Sequence, residues 1–333
     1  MRSSIYIRTR LEPRGPLSVH GSLSVKVSLG LPTHRLDRFS ELANAEAISE
    51  ISVAAQESKF DAVFVTEHPF PSDDWLAKGG HHALDPFVAL AFAAATTTSI
   101  RLETNLCIAA YRNPFLLAKS VATLDALSGG RVILGLGAGY MDGEFAALGA
   151  DFANRNEITD EAIKAMRRAW QGESVTMTGL NFVAAGNTML PKPATLGGPP
   201  IWIGGNATKA MRRAVELADG WVPMPNSART VSRLRTPALE TLDDLHTRIQ
   251  KIHALAVKHG RTDPLEIVFM PLGLDMFTNA PVVAEDVITS IRSLAEVGVT
   301  YITTSIPGDT RSEFLSNVEI FRDEVLPAIN DLA

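Results

Sequence analysis

The sequence predicts an α/β fold: a (β/α)8 barrel of the TIM type with a small insertion hairpin. Three observations carry that expectation. Eight short apolar runs of strand character alternate with helical periodicities between residues 25 and 330, the pattern of parallel strands joined by crossover helices. The rhythm stays even to the eighth strand, which favours closure over an open doubly wound sheet. One stretch, 173–198, breaks it with two strand-like runs around Gly179 and reads as a hairpin inserted between barrel units.

Taken in order, residues 25–30 form the first strand and end at Gly30-Leu31-Pro32. Residues 41–58 follow with Leu42, Ala45, Ile48, Ile51 and Ala55 at helical spacing. The run 60–66, Phe-Asp-Ala-Val-Phe-Val-Thr, reads as a second buried strand around the apolar stretch 62–65 and leads into Thr66-Glu67-His68. Roughly 16 loop residues come next, with Trp75, Gly79, Gly80, His81 and His82 among them; loops of that length in compact domains are usually functional. Asp85-Pro86 and Asn113-Pro114 each join a capping side chain to a first-turn proline, which predicts helices over 87–98 and from 114 to about 127. Between them, 100–109 is the third strand, with Thr104 and Asn105 inside it. The fourth, 131–134, runs into glycines at alternate positions, Gly135, Gly137 and Gly139. A helix over 159–170 stops at Gly172.

After the insertion, the fifth strand, 199–203, ends in Gly204-Gly205-Asn206, with Asn206 the expected cap of the next helix. Residues 220–224 are the sixth strand and 227–259 polar helical material. Residues 265–277 hold the seventh strand with Gly273, 282–298 a helix, 301–306 the eighth strand, and a closing helix runs from about 311.

Composition narrows the function. A chain of 333 residues, 46% hydrophobic, can bury a large core. Net charge is −6 with no basic stripe, against a nucleic-acid partner. No apolar run approaches the ~20 residues of a membrane helix. The single cysteine, Cys107, excludes a disulfide framework and a cysteine metal cluster and suits a reducing cytoplasm, the expected location. Residues 1–24 carry Arg2, Arg8, Arg10 and Arg14 without a following apolar segment. They are expected to be a disordered extension rather than a secretory signal, which leaves 25–333 as the barrel.

In a barrel, chemistry sits at the carboxyl ends of strands. Those ends are Gly30-Leu31, Thr66-Glu67-His68, Thr104-Asn105, the run through Gly135, Gly137, Ala138, Gly139 and Tyr140, Gly204-Gly205-Asn206, Pro223-Met224, Gly273 and Ser305. They are mostly small and neutral, which suits a large planar ligand better than a carboxylate-bound metal. The G-x-G-x-x-G dinucleotide fingerprint fails in both registers, because its third glycine falls on Tyr140 or on Asp142. Gly204-Gly205-Asn206 is either a phosphate site at a helix N-terminus or only a tight turn. His68 is the candidate acid/base, since imidazole titrates near neutrality; the alternative is a structural histidine. Glu67 either orients it or faces solvent. His81 and His82 are adjacent and point apart on an extended chain, so with His68 they make no zinc site, and no metal is expected. Cys107 lies in an apolar strand, where thiols are inert. Tyr111 and Arg112 are placed either to reach a phosphate or substrate or to lie on the surface.

The run 60–68, the pair 101–106 and 111–114, the run 124–131, the glycines 135–140 and the run 199–206 occur in one order. In that order they resemble the luciferase-like monooxygenase superfamily, and within it the branch dependent on coenzyme F420. The resemblance spans about 25–330. It implies a barrel that holds the deazaflavin F420, or alternatively FMN, with ring contacts at Gly30, His68, Thr104 and Gly137 and the phosphate near Gly204 and Gly205. It also implies a non-prolyl cis peptide near Asn105–Leu106, and a homodimer. The activity implied is hydride transfer between F420 and a small organic substrate. The alternatives are an FMN-dependent monooxygenase served by a flavin reductase and, from another class, a non-catalytic flavin-binding barrel; a metal-dependent barrel hydrolase is a remote third. Glu103 stands where the family usually has a small residue. No glutamate stands at Ala138 or Gly139, which sets the chain apart from the sugar-phosphate dehydrogenases of the branch.

Overall fold

The computed structural model describes residues 25–271 and 282–330. Eight parallel strands close into a barrel: β1 (Lys26–Gly30), β2 (Ala62–Val65), β3 (Arg101–Ile108), β4 (Val132–Gly137), β7 (Ile201–Gly204), β8 (Gly220–Val222), β9 (Glu266–Phe269) and β10 (Tyr301–Thr304). Each pairs with its sequence neighbour in the barrel, and β1 closes the ring on β10. The two faces of each strand meet different cores. Val27, Leu29, Val63, Leu102, Leu134, Ile203, Ile267 and Ile302 face outward into one cluster with the surrounding helices. Ala62, Ile133, Trp202, Val222, Val268 and Tyr301 fill the barrel itself. Both faces are thus dry, which is why the strands read as apolar runs rather than as alternations.

The helices on the described residues are α1 (Ala45–Glu57), α2 (Asp73–Ala77), α3 (Pro86–Thr96), α4 (Pro114–Ser128), α5 (Asp142–Ala147), α6 (Arg155–Ala169), α7 (Thr208–Leu217), α8 (Val231–Leu234), α9 (Leu242–Lys258), α10 (Ala284–Glu296), α11 (Arg311–Ile320) and α12 (Leu326–Asn330). The two Asx-Pro starts behave as the sequence predicts. Asp85 accepts from the amides of Phe87 and Val88, both at 3.0 Å, and Asn113 from that of Phe115 at 2.9 Å. Gly129 at φ 72° and Gly130 at φ 89° turn the chain out of α4 into β4.

Several details differ from the sequence reading. The long loop after β2 contains α2, capped by Ser72. An unpredicted helix, α5, follows β4, and α6 begins earlier than the predicted 159. The N-cap of α7 is Ala207, with no side-chain cap, because the Asn206 side chain is engaged elsewhere. Residues 1–24 and Gly273 lie outside the described residues.

The insertion forms an antiparallel hairpin, β5 (Val175–Gly179) with β6 (Phe182–Asn187). It packs on the flank of the barrel: the Phe182 ring lies 5.1 Å from that of Phe115, and the Leu180 amide donates to Glu161 on α6 at 2.7 Å.

Glu103 points into the barrel, level with Ile133 and one layer below Gly135. Ser28 Oγ donates to its Oε2 at 2.5 Å. Burial pushes its carboxyl up to about 8, against the smaller pull of Ser28 and Arg101. The departure from a small residue is therefore accommodated beneath the strand ends.

Candidate active site

The mouth of the barrel is floored by β3. The peptide bond Asn105–Leu106 is cis, and the strand register shifts between Thr104 and Cys107. Leu106 and the Thr104 carbonyl project toward the facing strands, where side chains would collide with them. A Cβ on Gly135 would lie 2.1 Å from Thr104 O, and one on Gly204 would lie 2.0 Å from Leu106 Cδ1. A Cβ on Gly30 would meet Phe64 Cζ at 2.8 Å and Ser305 Oγ at 2.9 Å. Glycine is thus required by the neighbours, which already fill the space a side chain would need. Thr104 Oγ1 is committed to Gly135 O at 2.9 Å. Leu31 sits beside this floor but turns its side chain into the outer core. Ala138, Gly139 and Tyr140 are half-buried where β4 gives way to α5, and burial raises the Tyr140 hydroxyl to about 12. Thr33 Oγ1 and Thr66 Oγ1, just past the ends of β1 and β2, are buried without partners.

His68 stands at the end of β2 under an aromatic lid. Its ring lies 4.5 Å from Trp75 and 4.8 Å from His81, edge-on to the latter, and His34 packs on His81 at 5.7 Å. Burial pushes His34 and His81 down to about 4, helped by neighbouring imidazoles and, at His81, opposed by the bond to the His82 carbonyl. Both are therefore neutral at physiological pH.

The carboxylate that meets His68 is Glu144, not Glu67. Glu144 is fully buried on α5, with Oε2 3.6 Å from His68 Nδ1. Oε2 also accepts from Tyr111 Oη at 2.6 Å, and Oε1 accepts from the Phe70 amide at 2.9 Å. Burial pushes Glu144 up, but His68, Tyr111 and the Phe70 amide outweigh it and hold the group below its ordinary value. Glu67 accepts from the Ile108 amide at 2.6 Å and pairs with Arg112, whose other arm donates to Cys107 Sγ at 2.8 Å. It neither orients His68 nor faces solvent; it ties the end of β2 to the end of β3. Burial and the nearby Glu67 push the Cys107 thiol well above its usual value, the direction of an inert thiol. Tyr111 and Arg112 are thus both engaged with buried carboxylates.

The Gly204-Gly205-Asn206 corner is more occupied than its sequence suggests. The Gly205 amide donates to Val222 O at 3.1 Å and the Asn206 amide to Thr236 Oγ1 at 2.9 Å. The Asn206 side chain holds Met224 through both amide atoms, at 2.9 Å each, and donates to Pro237 O at 2.8 Å. The uncapped first turn of α7 remains as the electropositive end. Two cations from α9 reinforce it: Arg248 donates to Asn206 O at 2.7 Å and Lys251 to Thr208 Oγ1 at 2.8 Å. Arg248 and Lys251 were not singled out in the sequence, where they look like solvent-facing charges of an amphipathic helix.

Residues 225–240 reach the segment that follows His68 and the start of α5. Arg233 donates to Lys78 O at 3.0 Å, and Arg235 pairs with Asp142 at 3.0 Å. Among the described residues no group of three or more His, Cys, Asp or Glu side chains is arranged to hold a metal.

The sequence profile of the luciferase-like monooxygenases matches residues 25–272, well over half of the chain. The chain belongs to the luciferase-like monooxygenase family. It is similar to an F420-dependent glucose-6-phosphate dehydrogenase of Nakamurella multipartita, with 27% identity over 89% of this chain and 97% of that protein. Among solved structures it shares the fold of monooxygenase RslO1 from Streptomyces bottropensis, with a TM-score of 0.72, 20% identity, and coverage of 91% of this chain and 99% of that one. It likewise shares the fold of an F420-dependent secondary alcohol dehydrogenase determined with an F420–acetone adduct, with a TM-score of 0.68, 19% identity, and coverage of 92% and 99%.

Proposed function

We propose that this family member is an oxidoreductase that transfers hydride between coenzyme F420 and a small organic substrate, with His68 exchanging the substrate's proton. The observation that carries the reading is the side-chain-free run of strand ends at the barrel mouth, where a Cβ on Gly135 or Gly204 would lie about 2 Å from β3, beside a half-buried imidazole. A planar tricycle fits such a floor. In this reading Gly30, Thr104, Asn105, Gly135, Gly137 and Ala138 face the ring. The phosphate lies against Gly204, Gly205 and the first turn of α7, where Arg248 and Lys251 add positive charge. Gly139 and Tyr140 border the same mouth, and Leu31 and Asn206 support it from behind.

F420, when bound, supplies a carbon centre that takes or gives a hydride. The protein's own contribution is position, exclusion of water by Trp75 and the segments 69–84 and 225–240, and a proton acceptor or donor at His68. Full-length similarity to a relative named as F420-dependent supports F420 over FMN.

Parallel fluorescence titrations with F420 and FMN test the cofactor. Selective F420 binding is expected, followed by reduction of bound F420 by an alcohol or oxidation of reduced F420 by a ketone or enone. Selective FMN binding would replace this reading with a monooxygenase supplied by a flavin reductase. F420 binding without turnover on any such substrate would favour a carrier barrel.

The reading includes cytoplasmic residence, supported by the single buried cysteine, and a homodimer. For the dimer, the support is the outer side of α3 and α4. There Val88, Phe92, Leu116 and Leu127 are 45–81% exposed, and α3 carries no charged residue. Apolar patches of this kind mark interfaces. Phe92→Lys is expected to give a monomer by light scattering; an unchanged mass, or a monomeric wild type, would refute this interface.

A further inference from the structure

We propose that Glu144 is the positioning residue for His68: it sets the imidazole tautomer and leaves Nε2 as the atom that exchanges a proton with substrate. The inference rests on the oxidoreductase reading for its consequence but not for its geometry.

The carboxylate is fixed before the histidine is considered. Oε1 receives the Phe70 amide at 2.9 Å and Oε2 the Tyr111 hydroxyl at 2.6 Å, with no exposure of Glu144. Burial and Glu144 together push the Tyr111 hydroxyl up, so it remains a donor. The Phe70 amide is a donor by nature. Glu144 therefore presents an ionised oxygen held by two donors. His68 Nδ1 lies 3.6 Å from that oxygen, buried, and beyond hydrogen-bond length of any acceptor among the described residues. A small ring rotation closes the gap. Only a protonated Nδ1 gains from it; a lone pair at Nδ1 would face negative charge. The tautomer with the proton on Nδ1 follows, and its lone pair is at Nε2. In the oxidising direction Nε2 would take the hydroxyl proton of an alcohol, and F420, if bound, would supply the acceptor for the hydride leaving the adjacent carbon. Glu144 stabilises the imidazolium that results, and the reverse direction returns the same proton. The Phe70 bond adds a second consequence: the same carboxylate anchors the chain that begins the aromatic lid.

The substitution Glu144→Gln separates these roles from packing. Its volume is nearly unchanged. The Phe70 amide needs an acceptor at the Oε1 position, so the glutamine oxygen must take that place and its NH2 must occupy the other. That NH2 faces His68 and donates to Nδ1, which reverses the tautomer and places the proton on Nε2. The test is nitrogen NMR on cofactor-free protein labelled in histidine, with the His68 signal identified among eight histidines by its loss in His68→Gln. The wild type is expected to be protonated at Nδ1 and Glu144→Gln at Nε2. In the variant kcat is expected to fall roughly 10²–10⁴-fold, as when a general base is lost or held in the wrong tautomer, with F420 affinity within about twofold of wild type. A wild-type His68 protonated at Nε2 overturns the proposal, and does so even if the variant fails to fold. A folded Glu144→Gln with the wild-type tautomer overturns it as well. Because the spectra need no cofactor, failure of F420 to bind would sink the oxidoreductase reading alone.

Discussion

Replacing Glu103 by glutamine is expected to stabilise the protein, and by an amount that grows with pH. The carboxyl is fully buried in the barrel, and its pKa is about 8 in place of the ordinary 4.5. Between those two values the folded protein keeps a proton that the unfolded chain releases. Stability therefore falls as pH rises from about 4.5 to about 8, by roughly 1.4 kcal/mol per pH unit. From pH 5 to pH 8 the loss is on the order of 4 kcal/mol, a large fraction of a typical folding free energy. Glutamine carries no proton in this range but offers Ser28 Oγ the same kind of acceptor. Urea unfolding of both proteins at pH 5, 6.5 and 8 isolates the effect, since every other titrating group is common to the pair. The difference should widen steadily in favour of Glu103→Gln. A difference that is flat across this range within about 1 kcal/mol would show that Glu103 is ionised or solvated, contrary to its burial beside Ser28 in the barrel interior.

Two other perturbations address the site directly. Gly204→Ala places a methyl 2.0 Å from Leu106 Cδ1, so Leu106 must leave the floor. F420 affinity is expected to fall at least about tenfold, with roughly 1–3 kcal/mol of stability lost to overpacking; wild-type affinity would remove Gly204 from the cofactor floor. His34 and His81 resist protonation down to about 4 when folded, whereas free histidine protonates near 6.5. The unfolded chain thus binds more protons between those values, and stability rises with pH from about 4 to about 6.5. His81→Gln should flatten that acid limb, read by Trp75-dependent fluorescence as well as by global unfolding; an unchanged acid limb contradicts the buried imidazole pair.

How much of this was legible in the sequence depends on whether a signal is local. Strand–helix alternation and the two Asx-Pro starts are local, and among the described residues they placed every barrel strand to within a few residues. The glycines at 135, 137 and 204 were legible as places where something approaches the backbone. What approaches them is β3 itself, through Leu106 and the Thr104 carbonyl, and that depends on the closure of the barrel. Asn206 illustrates a competition. Its type and position satisfy a helix-cap rule, yet three side-chain hydrogen bonds to Met224 and Pro237 on the β8–α9 connection outbid the cap. Glu144 was missed for a related reason. It lies in a short helix whose sequence has few apolar repeats, and its partners His68, Phe70 and Tyr111 come from two other strand ends.

Three buried glutamates ring the same region, and their different states indicate where chemistry can occur. Glu67 is neutralised by Arg112 and the Ile108 amide; its charge is fully used within the frame, so removing it should loosen β2 from β3 rather than alter a proton transfer. Glu103 sits below the floor with Ser28 as its donor and is kept protonated by burial; it has no ring or rim atom to act on. Glu144 alone remains ionised with an edge turned to a titratable ring, and the donors that hold it are neutral ones that do not cancel its charge. A carboxylate kept charged in a dry place is costly unless something nearby benefits from the charge. Here the beneficiary is His68 when it carries the substrate's proton, and the cost of burying Glu144 is offset in part by the imidazolium that forms beside it.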